Sequence, residues 1–169
     1  ALARRLAEHP DDPALVVATV GTTFKGASDP VDAIQAALAG RESYLHLDAA
    51  LFGGFLPHTR FADVVAHRVG GAAAARYDSI AVSCHKFFGF PSPAGIFITR
   101  RAAFEDFRRR FGAVHDPEYL LQVPGTITCS RDAVKPAEFH FYSSQEDFAR
   151  QRADAERILR DTGYLLEQM

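Results

Sequence analysis

Lysine is scarce in this sequence, and that scarcity narrows the candidates for amine chemistry. The 169 residues include 19 lysines and arginines, but the only lysines are Lys25, Lys86 and Lys135. Arginine stays charged in proteins, whereas a lysine that is withdrawn from water can lose its proton and act as a nucleophile. Lys86 follows His85, just beyond the apolar segment 79–83. We therefore single out Lys86 for chemistry and expect the other two lysines to be solvated.

A carboxylate and two hydroxyls follow two other apolar segments. Asp48 comes directly after segment 44–47, and Thr22 and Thr23 follow the continuous apolar run 14–20. A lysine in imine linkage, with a carboxylate opposite a pyridinium nitrogen, is the arrangement that pyridoxal phosphate needs. The carboxylate keeps the ring nitrogen protonated, so that the ring can accept electrons from a carbanion. These residue types point to that cofactor if the fold brings them together.

The elements that must position these residues alternate between strand and helix. Apolar periodicity and turn residues predict strands at 14–20, 44–47, 79–83 and 95–99, and helices at 1–9, 30–39, 61–69 and 101–110. Asp29 is expected to cap the second helix. Segment 111–141 is mixed and loop-rich, and a capping box of Ser143 and Glu146 is expected to open a long helix that reaches about residue 160.

This order of elements predicts the α/β class with a mostly parallel sheet. Run 14–20 lacks polar alternation, which suits a strand buried on both faces. In such sheets, ligands bind at the carboxyl ends of the strands. That rule selects three segments, 21–28, 48–54 and 83–90, which contain the residues singled out above.

Composition excludes several other classes of protein. With 47% hydrophobic residues, 24% charged residues and a net charge of -2, the sequence is that of an ordinary globular domain, and no large positive field is available for nucleic acid. No apolar run approaches the ~20 residues of a membrane span. Two cysteines, Cys84 and Cys129, favour a reducing compartment, and we expect a cytoplasmic protein. The sequence starts at Ala1 inside a helical pattern, so we expect a portion of a longer chain.

Two pairs of residues that are close in the sequence could suggest other chemistry, which we do not expect. His46 and Asp48 could ligate a metal, but they share one strand face without a third ligand nearby, so we expect no metal site and a structural role for His46. Cys84 next to His85 could suggest a thiol nucleophile. Adjacent residues of an extended segment point apart, so we expect a buried spectator thiol. Thr22 can simply cap its turn.

Four segments resemble the group II pyridoxal-phosphate-dependent amino-acid decarboxylases. They are 17–32 (VATVGTTFKGASDPVD), 44–54 (YLHLDAALFGG), 78–98 (DSIAVSCHKFFGFPSPAGIFI) and 126–132 (TITCSRD). The likeness is greatest to bacterial histidine decarboxylases of the pyridoxal type. It implies part of the large domain of a fold-type I, aspartate aminotransferase-like enzyme. Residues 1–142 would be the central and C-terminal part of that domain, and 143–169 a long helix that links to or starts the small domain.

The resemblance assigns the residues around the cofactor ring. Lys86 would form the Schiff base with pyridoxal 5'-phosphate, and Asp48 would pair with the pyridine nitrogen. Ala50 would pack its methyl group on one face of the ring. Thr23 would lie near the phenolic oxygen or support Asp48.

The resemblance also assigns the phosphate and the substrate. Ser83 and His85 would contact the phosphate, with His85 also close to the substrate carboxylate. Ser130 would reach the phosphate of the neighbouring subunit's cofactor, since the family forms its sites at a homodimer interface. Tyr119, with His115 as the second choice, would donate the proton to Cα after carbon dioxide leaves.

The implied activity is decarboxylation of an L-amino acid, as in histidine decarboxylase. The sequence departs from the family at Cys84, where a smaller residue is usual, and at 130–134, which leaves the substrate open. Another pyridoxal-phosphate-dependent lyase or aminotransferase is an alternative. A truncated, non-catalytic paralogue acting as a dimer partner is a second one, since the family's upstream phosphate loop and ring-stacking histidine are not found in these residues.

Overall fold

Strands and helices alternate along the chain, as the apolar periodicity predicts. The structure, a computed structural model, describes residues 1–65, 77–112, 132, 134–145 and 148–169, without the side chains of residues 143, 145 and 148. The elements are α1 (Leu2–Glu8), β1 (Ala14–Thr19), α2 (Val31–Leu38), β2 (Ser43–Asp48), β3 (Ser79–Ser83), β4 (Gly95–Thr99), α3 (Arg101–Gly112), α4 (Val134–Gln145) and α5 (Phe148–Gln168). Single 3-10 turns occupy Leu56–His58 and Ala62–Val64. None of the helices in these ranges is long and apolar enough to cross a membrane.

The four strands form one sheet in the order β1-β2-β3-β4. The first three strands are parallel, and β4 runs antiparallel to β3. Parallel neighbours need a crossover of about a dozen residues or more, and segment 84–94 is too short to provide one. The predicted α/β fold with a mostly parallel sheet is confirmed.

The sheet has one buried face and one open face. Alternate residues of the three parallel strands, together with Val31 and Leu38 of α2, form the core; they include Ala18, Leu45, Leu47, Ile80 and Val82. On the opposite face Leu15 is 75% exposed and Val17 is 58% exposed. The prediction that 14–20 is buried on both faces is therefore wrong for this structure, because the helix α2 and its neighbours cover the sheet from one side.

Two predicted helix starts are wrong. Asp29 does not cap α2; its Oδ2 accepts a hydrogen bond from the Thr19 amide at 2.8 Å, and its own amide donates to the Thr19 carbonyl at 2.8 Å. The side chain is thus used to hold the end of β1, and α2 begins at Val31. Ser143 is also no helix start, since it lies within α4, and α5 begins at Phe148.

Residues 134–141, which were expected to belong to a mixed, loop-rich stretch, lie in helix α4. The Asp132 carboxylate accepts a hydrogen bond from the Val134 amide at 2.8 Å, as a capping side chain does. Pro136 lies in the first turn, where a missing N–H costs the helix no internal hydrogen bond. The helix expected at 61–69 is described only as far as residue 65, where it is a single 3-10 turn.

Candidate active site

Backbone hydrogen bonds continue between the strands beyond their carboxyl ends. The Val20 amide donates to the Asp48 carbonyl at 2.8 Å, which ties the end of β1 to the end of β2. The Ser83 amide donates to the Ala50 carbonyl at 3.3 Å, which ties the segment after β2 to the end of β3. Residues that are far apart in the sequence therefore lie side by side at one edge of the sheet.

Asp48 and Ser83 lie on the open face of the sheet. Asp48 is paired with Ala81, and Ser83 is two residues beyond Ala81, so side-chain alternation places both on the same face. Their neighbours Leu47 and Val82 are buried on the other face. The Asp48 side chain is half-buried, and its Oδ1 accepts a hydrogen bond from the Ala50 amide at 3.2 Å. The carboxylate is thus fixed by its own backbone at the end of the strand.

Two glycines let the chain turn back immediately after Asp48. The Gly53 amide donates to the Ala49 carbonyl at 2.7 Å. A Cβ atom on Gly53 would lie 2.6 Å from Cγ2 of Val82 and 2.7 Å from that same carbonyl oxygen, and one on Gly54 would lie 3.0 Å from the Phe88 ring. The pair is visible in the sequence directly after Asp48-Ala49-Ala50-Leu51-Phe52. Its role is close packing of the turn against β3.

The loop after β1 is closed by Thr22. Its Oγ1 accepts a hydrogen bond from the Ala27 amide at 3.0 Å, and its own amide donates to the Ala27 carbonyl at 2.9 Å. The expectation that Thr22 caps the turn is confirmed. Gly21, at φ +91°, packs against the Phe52 ring and permits this turn. Thr23 is left exposed in the loop next to Asp48's strand end.

Lys86 and His85 lie in the turn that follows β3. The Lys86 side chain is exposed and has no hydrogen-bonding or ionic partner among the described residues. The prediction that this amine is withdrawn from water is therefore wrong for this structure, because the turn carries the amine beyond the buried strand end. Nδ1 of His85 lies 3.0 Å from the Ala94 carbonyl oxygen and 3.2 Å from the Ala94 amide, so its tautomer decides whether it donates or accepts. Either bond fixes the ring against the start of β4.

Cys84 is a buried spectator, as predicted. Its side chain is 1% exposed, and its amide donates to the Ala94 carbonyl at 2.9 Å. Burial raises the pKa of the thiol, which therefore keeps its proton at neutral pH. A protonated and inaccessible thiol does not act as a nucleophile.

His46 has a structural role, as predicted. Its Nδ1 forms a hydrogen bond of 2.7 Å with the hydroxyl of Ser79, which is 1% exposed. The ring stacks on Phe97 with their centroids 5.7 Å apart. Within the described ranges no three histidine, cysteine or acidic side chains come close enough to hold a metal ion.

The structure brings some of the predicted site residues together, and others lie outside the part of the chain that it describes. Asp48, Ala50 and Ser83 meet at neighbouring strand ends, and His85 and Lys86 follow directly. Thr23 lies in the adjoining loop. Three further candidates, His115, Tyr119 and Ser130, lie outside the described residues.

Comparison with known proteins then identifies the family. Residues 2–123 match the profile described as the pyridoxal-dependent decarboxylase conserved domain. The chain belongs to this decarboxylase family. It is 31% identical over 172 residues to serine decarboxylase 1 of Oryza sativa subsp. japonica, covering 98% of this chain and 33% of the relative. It is 37% identical over 123 residues to a histidine decarboxylase of Acinetobacter baumannii, covering 70% of this chain and 29% of the relative. The chain thus spans about a third of the length of these curated relatives.

Solved structures confirm the fold. Mouse CSAD superposes with a TM-score of 0.73 at 25% identity, covering 99% of this chain and 35% of that one. L-Methionine decarboxylase from Streptomyces sp.590 superposes with a TM-score of 0.70 at 23% identity, covering 93% and 38%. This member of the family therefore has the fold of part of a fold-type I pyridoxal-phosphate enzyme.

The side chains at the strand ends fit the family's cofactor, pyridoxal phosphate. Lys86 offers an exposed amine for an aldehyde, and Asp48 offers a fixed carboxylate for a ring N–H. Ser83 offers a half-buried hydroxyl on the same face as Asp48, and Ala50, whose carbonyl accepts from the Ser83 amide, offers only a methyl group. One amine, one carboxylate and a hydroxyl are the donor set that this cofactor requires.

Proposed function

We propose that the protein carrying this chain decarboxylates an L-amino acid, releasing carbon dioxide and the amine, with pyridoxal phosphate held at the ends of β2 and β3. The hydrogen bond between the Ser83 amide and the Ala50 carbonyl carries this proposal. It brings the strand end with Asp48 beside the strand end that leads to Lys86. Without that pairing the amine and the carboxylate could not act on one small molecule.

Each residue has a role that its surroundings support. The Lys86 amine would hold the cofactor aldehyde and exchange a proton with the substrate amine. Oδ1 of Asp48 is bonded to the Ala50 amide, which leaves Oδ2 to accept a hydrogen bond from the ring nitrogen. When bound, the cofactor supplies an electron sink for the bond to the departing carboxylate. Ser83 and His85 would bind the phosphate, with His85 also near the substrate carboxylate.

The attachment of the cofactor is tested by spectroscopy. Pyridoxal phosphate is added to the protein that contains these 169 residues, with any segments that adjoin them, and the visible absorption band is recorded. We expect the band in the wild type and its loss in Lys86→Ala. Lys25→Ala is the matched control, since Lys25 is also exposed but lies in the loop after β1, and it should keep the band. Absence of the band in the wild type would contradict the proposal.

The role of Asp48 is tested separately. Asp48→Asn removes the negative charge but keeps the size and the acceptor oxygen that binds the Ala50 amide. Because the ring nitrogen would no longer be held protonated, we expect kcat to fall by about 10²-fold or more while the folded state is retained. Circular dichroism checks the fold. An active Asp48→Asn enzyme would exclude the assigned role.

The substrate is proposed from the named relatives. Serine and histidine decarboxylases are both similar to this chain, and the sequence resemblance favours histidine. A panel of L-histidine, L-serine and L-methionine, with carbon dioxide and the amine measured as products, decides among them. Release of carbon dioxide separates decarboxylation from amino-group transfer. Preference for another amino acid would overturn histidine as the substrate without affecting the reaction class.

We also propose a cytoplasmic homodimer with shared active sites. The cytoplasm is supported by the free, buried thiol of Cys84, and the dimer by the family resemblance at Ser130. If Lys86 and Ser130 of different subunits serve one site, a mixture of Lys86→Ala and Ser130→Ala subunits contains heterodimers with one intact site. Co-expression should then restore activity above that of either variant. Unrestored activity in a confirmed heterodimer would exclude shared sites.

A further inference from the structure

A cleft between α5 and the turn after Leu56–His58 collects positive charge. Its volume is about 540 Å³, within the range of small-molecule sites. Arg60 lines it from the turn, and Arg152 and Arg160 line it from the helix. The cleft involves none of the residues assigned to the cofactor, and the inference below does not depend on the proposed decarboxylation.

The charges of the cleft are unbalanced. Arg152, Glu156 and Arg160 are spaced four apart, so they share one face of α5 with the single carboxylate between the two guanidinium groups. His58 also lines the cleft. Burial and then the charge of Arg152 lower the pKa of His58, so the imidazole is mostly neutral at pH 7. Three positive charges therefore face one negative charge.

Several other arginines of the described part of the chain have carboxylate partners, whereas Arg41 bonds to backbone carbonyls. Examples are Arg100 with Asp78, Arg110 with Asp106 at 2.7 Å and Arg157 with Asp154 at 2.9 Å. No described carboxylate forms an ion pair with any of the three arginines of the cleft, not even Glu156. Their guanidinium groups are exposed. That of Arg60 lies over the Phe61 ring, 4.9 Å from its centroid, a contact that does not use the N–H donors.

We infer that this cleft binds a small oxyanion, a phosphate or carboxylate group carried by a small molecule. The planar fork of N–H donors on arginine matches the paired oxygens of such a group. An anion between Arg60, Arg152 and Arg160 relieves the repulsion of three like charges in one cleft. Glu156 opposes the binding of an anion, because its carboxylate adds a negative charge to the same face of the helix.

The test uses inorganic phosphate and, in a separate titration, succinate. Binding to the protein that contains these 169 residues, with any segments that adjoin them, is followed at low ionic strength by calorimetry and by the NMR resonances of the His58 ring. Because the arginines are exposed, we expect a dissociation constant in the millimolar range, weakened about fivefold by Arg152→Gln. Glu156→Gln should tighten binding by about threefold, since it removes the opposing charge. Arg157→Gln is the matched control, and should leave binding unchanged.

The outcomes separate the proposal from its rivals. A response to phosphate alone, or to succinate alone, identifies the class of oxyanion. No shift of the His58 resonances with either ion overturns the inference, and so does equal weakening by Arg152→Gln and Arg157→Gln, which would indicate general attraction. Self-association that Arg152→Gln abolishes, without phosphate or succinate binding, would mean that an acidic protein surface occupies the cleft and would also overturn it. Arg160→Gln replaces Arg152→Gln if the latter fails to fold by circular dichroism.

Discussion

Alternate residues of the same strands lie on the two faces of the sheet, and the two faces have different roles. On one face Leu47 is 0% exposed and Val82 is 8% exposed, and they pack in the hydrophobic core. On the other face lie Asp48 and Ser83, the side chains proposed to bind the cofactor. Apolar residues on this second face are open to solvent, with Phe97 62% exposed. The residues that stabilise the core and the residues proposed to bind the cofactor are therefore immediate neighbours along the chain.

Because of this alternation, the packing of the core fixes the positions of the candidate site residues on the opposite face. A strand that slips by one residue moves every side chain to the opposite face. Asp48 cannot leave the open face unless its neighbours Leu47 and Ala49, both fully buried, leave the core. The same holds for Ser83 between Val82 and Cys84. The positions of Asp48 and Ser83, which are proposed to bind the cofactor, are thus set by the burial of the apolar residues beside them.

The largest difference between the faces should come from one leucine on each. Leu47→Ala leaves a cavity in the core, and we expect it to lower the free energy of unfolding by about 2–5 kcal/mol. Leu15→Ala, on the open face, should change it by less than about 0.5 kcal/mol. Urea unfolding followed by circular dichroism measures both. Leu47→Met, which keeps the volume, should cost under about 1.5 kcal/mol, and an equal loss at Leu15 and Leu47 would contradict the contrast.

The turn that presents Asp48 gives the next largest effect. Gly53→Ala would force its new methyl group against Val82 and the Ala49 carbonyl, and we expect a loss of about 1–3 kcal/mol. Gly163→Ala is the matched control, because no atom lies within 4 Å of the added Cβ in helix α5. There the gain in helix propensity should stabilise the protein by about 0.5–1 kcal/mol. Thermal unfolding should therefore shift in opposite directions for the two variants, and a stabilising Gly53→Ala would refute the close packing.

Apolar periodicity was enough to predict the strands and the sheet edge where the candidate site residues lie. The bounds of β3 and β4 match the prediction, and the placement of Asp48 and Lys86 at strand ends follows from the chain order of parallel strands. Helix starts were harder to predict, because capping residues can bond elsewhere. Asp29 bonds to Thr19 across the end of β1. The prediction that β1 is buried on both faces was also wrong, since periodicity does not reveal how many layers of structure cover a sheet.

Ser79 tests whether the open face is uniform. By register it lies on that face, opposite His46, yet it is 1% exposed and its hydroxyl bonds to His46 at 2.7 Å. Ser79→Ala removes this bond, and we expect a loss of about 1 kcal/mol together with a shift of the His46 ring resonances. Ser83→Ala, at the other end of β3, removes a half-buried hydroxyl with no partner among the described residues and should cost less. Equal costs would mean that the two ends of the strand are covered alike.

The smallest expected effect is on the open face of the edge strand β1. Val17→Thr keeps the shape of the side chain and adds a hydroxyl that water can reach, so stability should change by less than about 0.5 kcal/mol. The same change at Val82, on the buried face, should cost about 1–3 kcal/mol, because the hydroxyl is withdrawn from water. A large cost at Val17 would mean that something covers this face in solution. Repeating the unfolding at several protein concentrations would then show whether a second copy of the chain does so, since self-association makes stability depend on concentration.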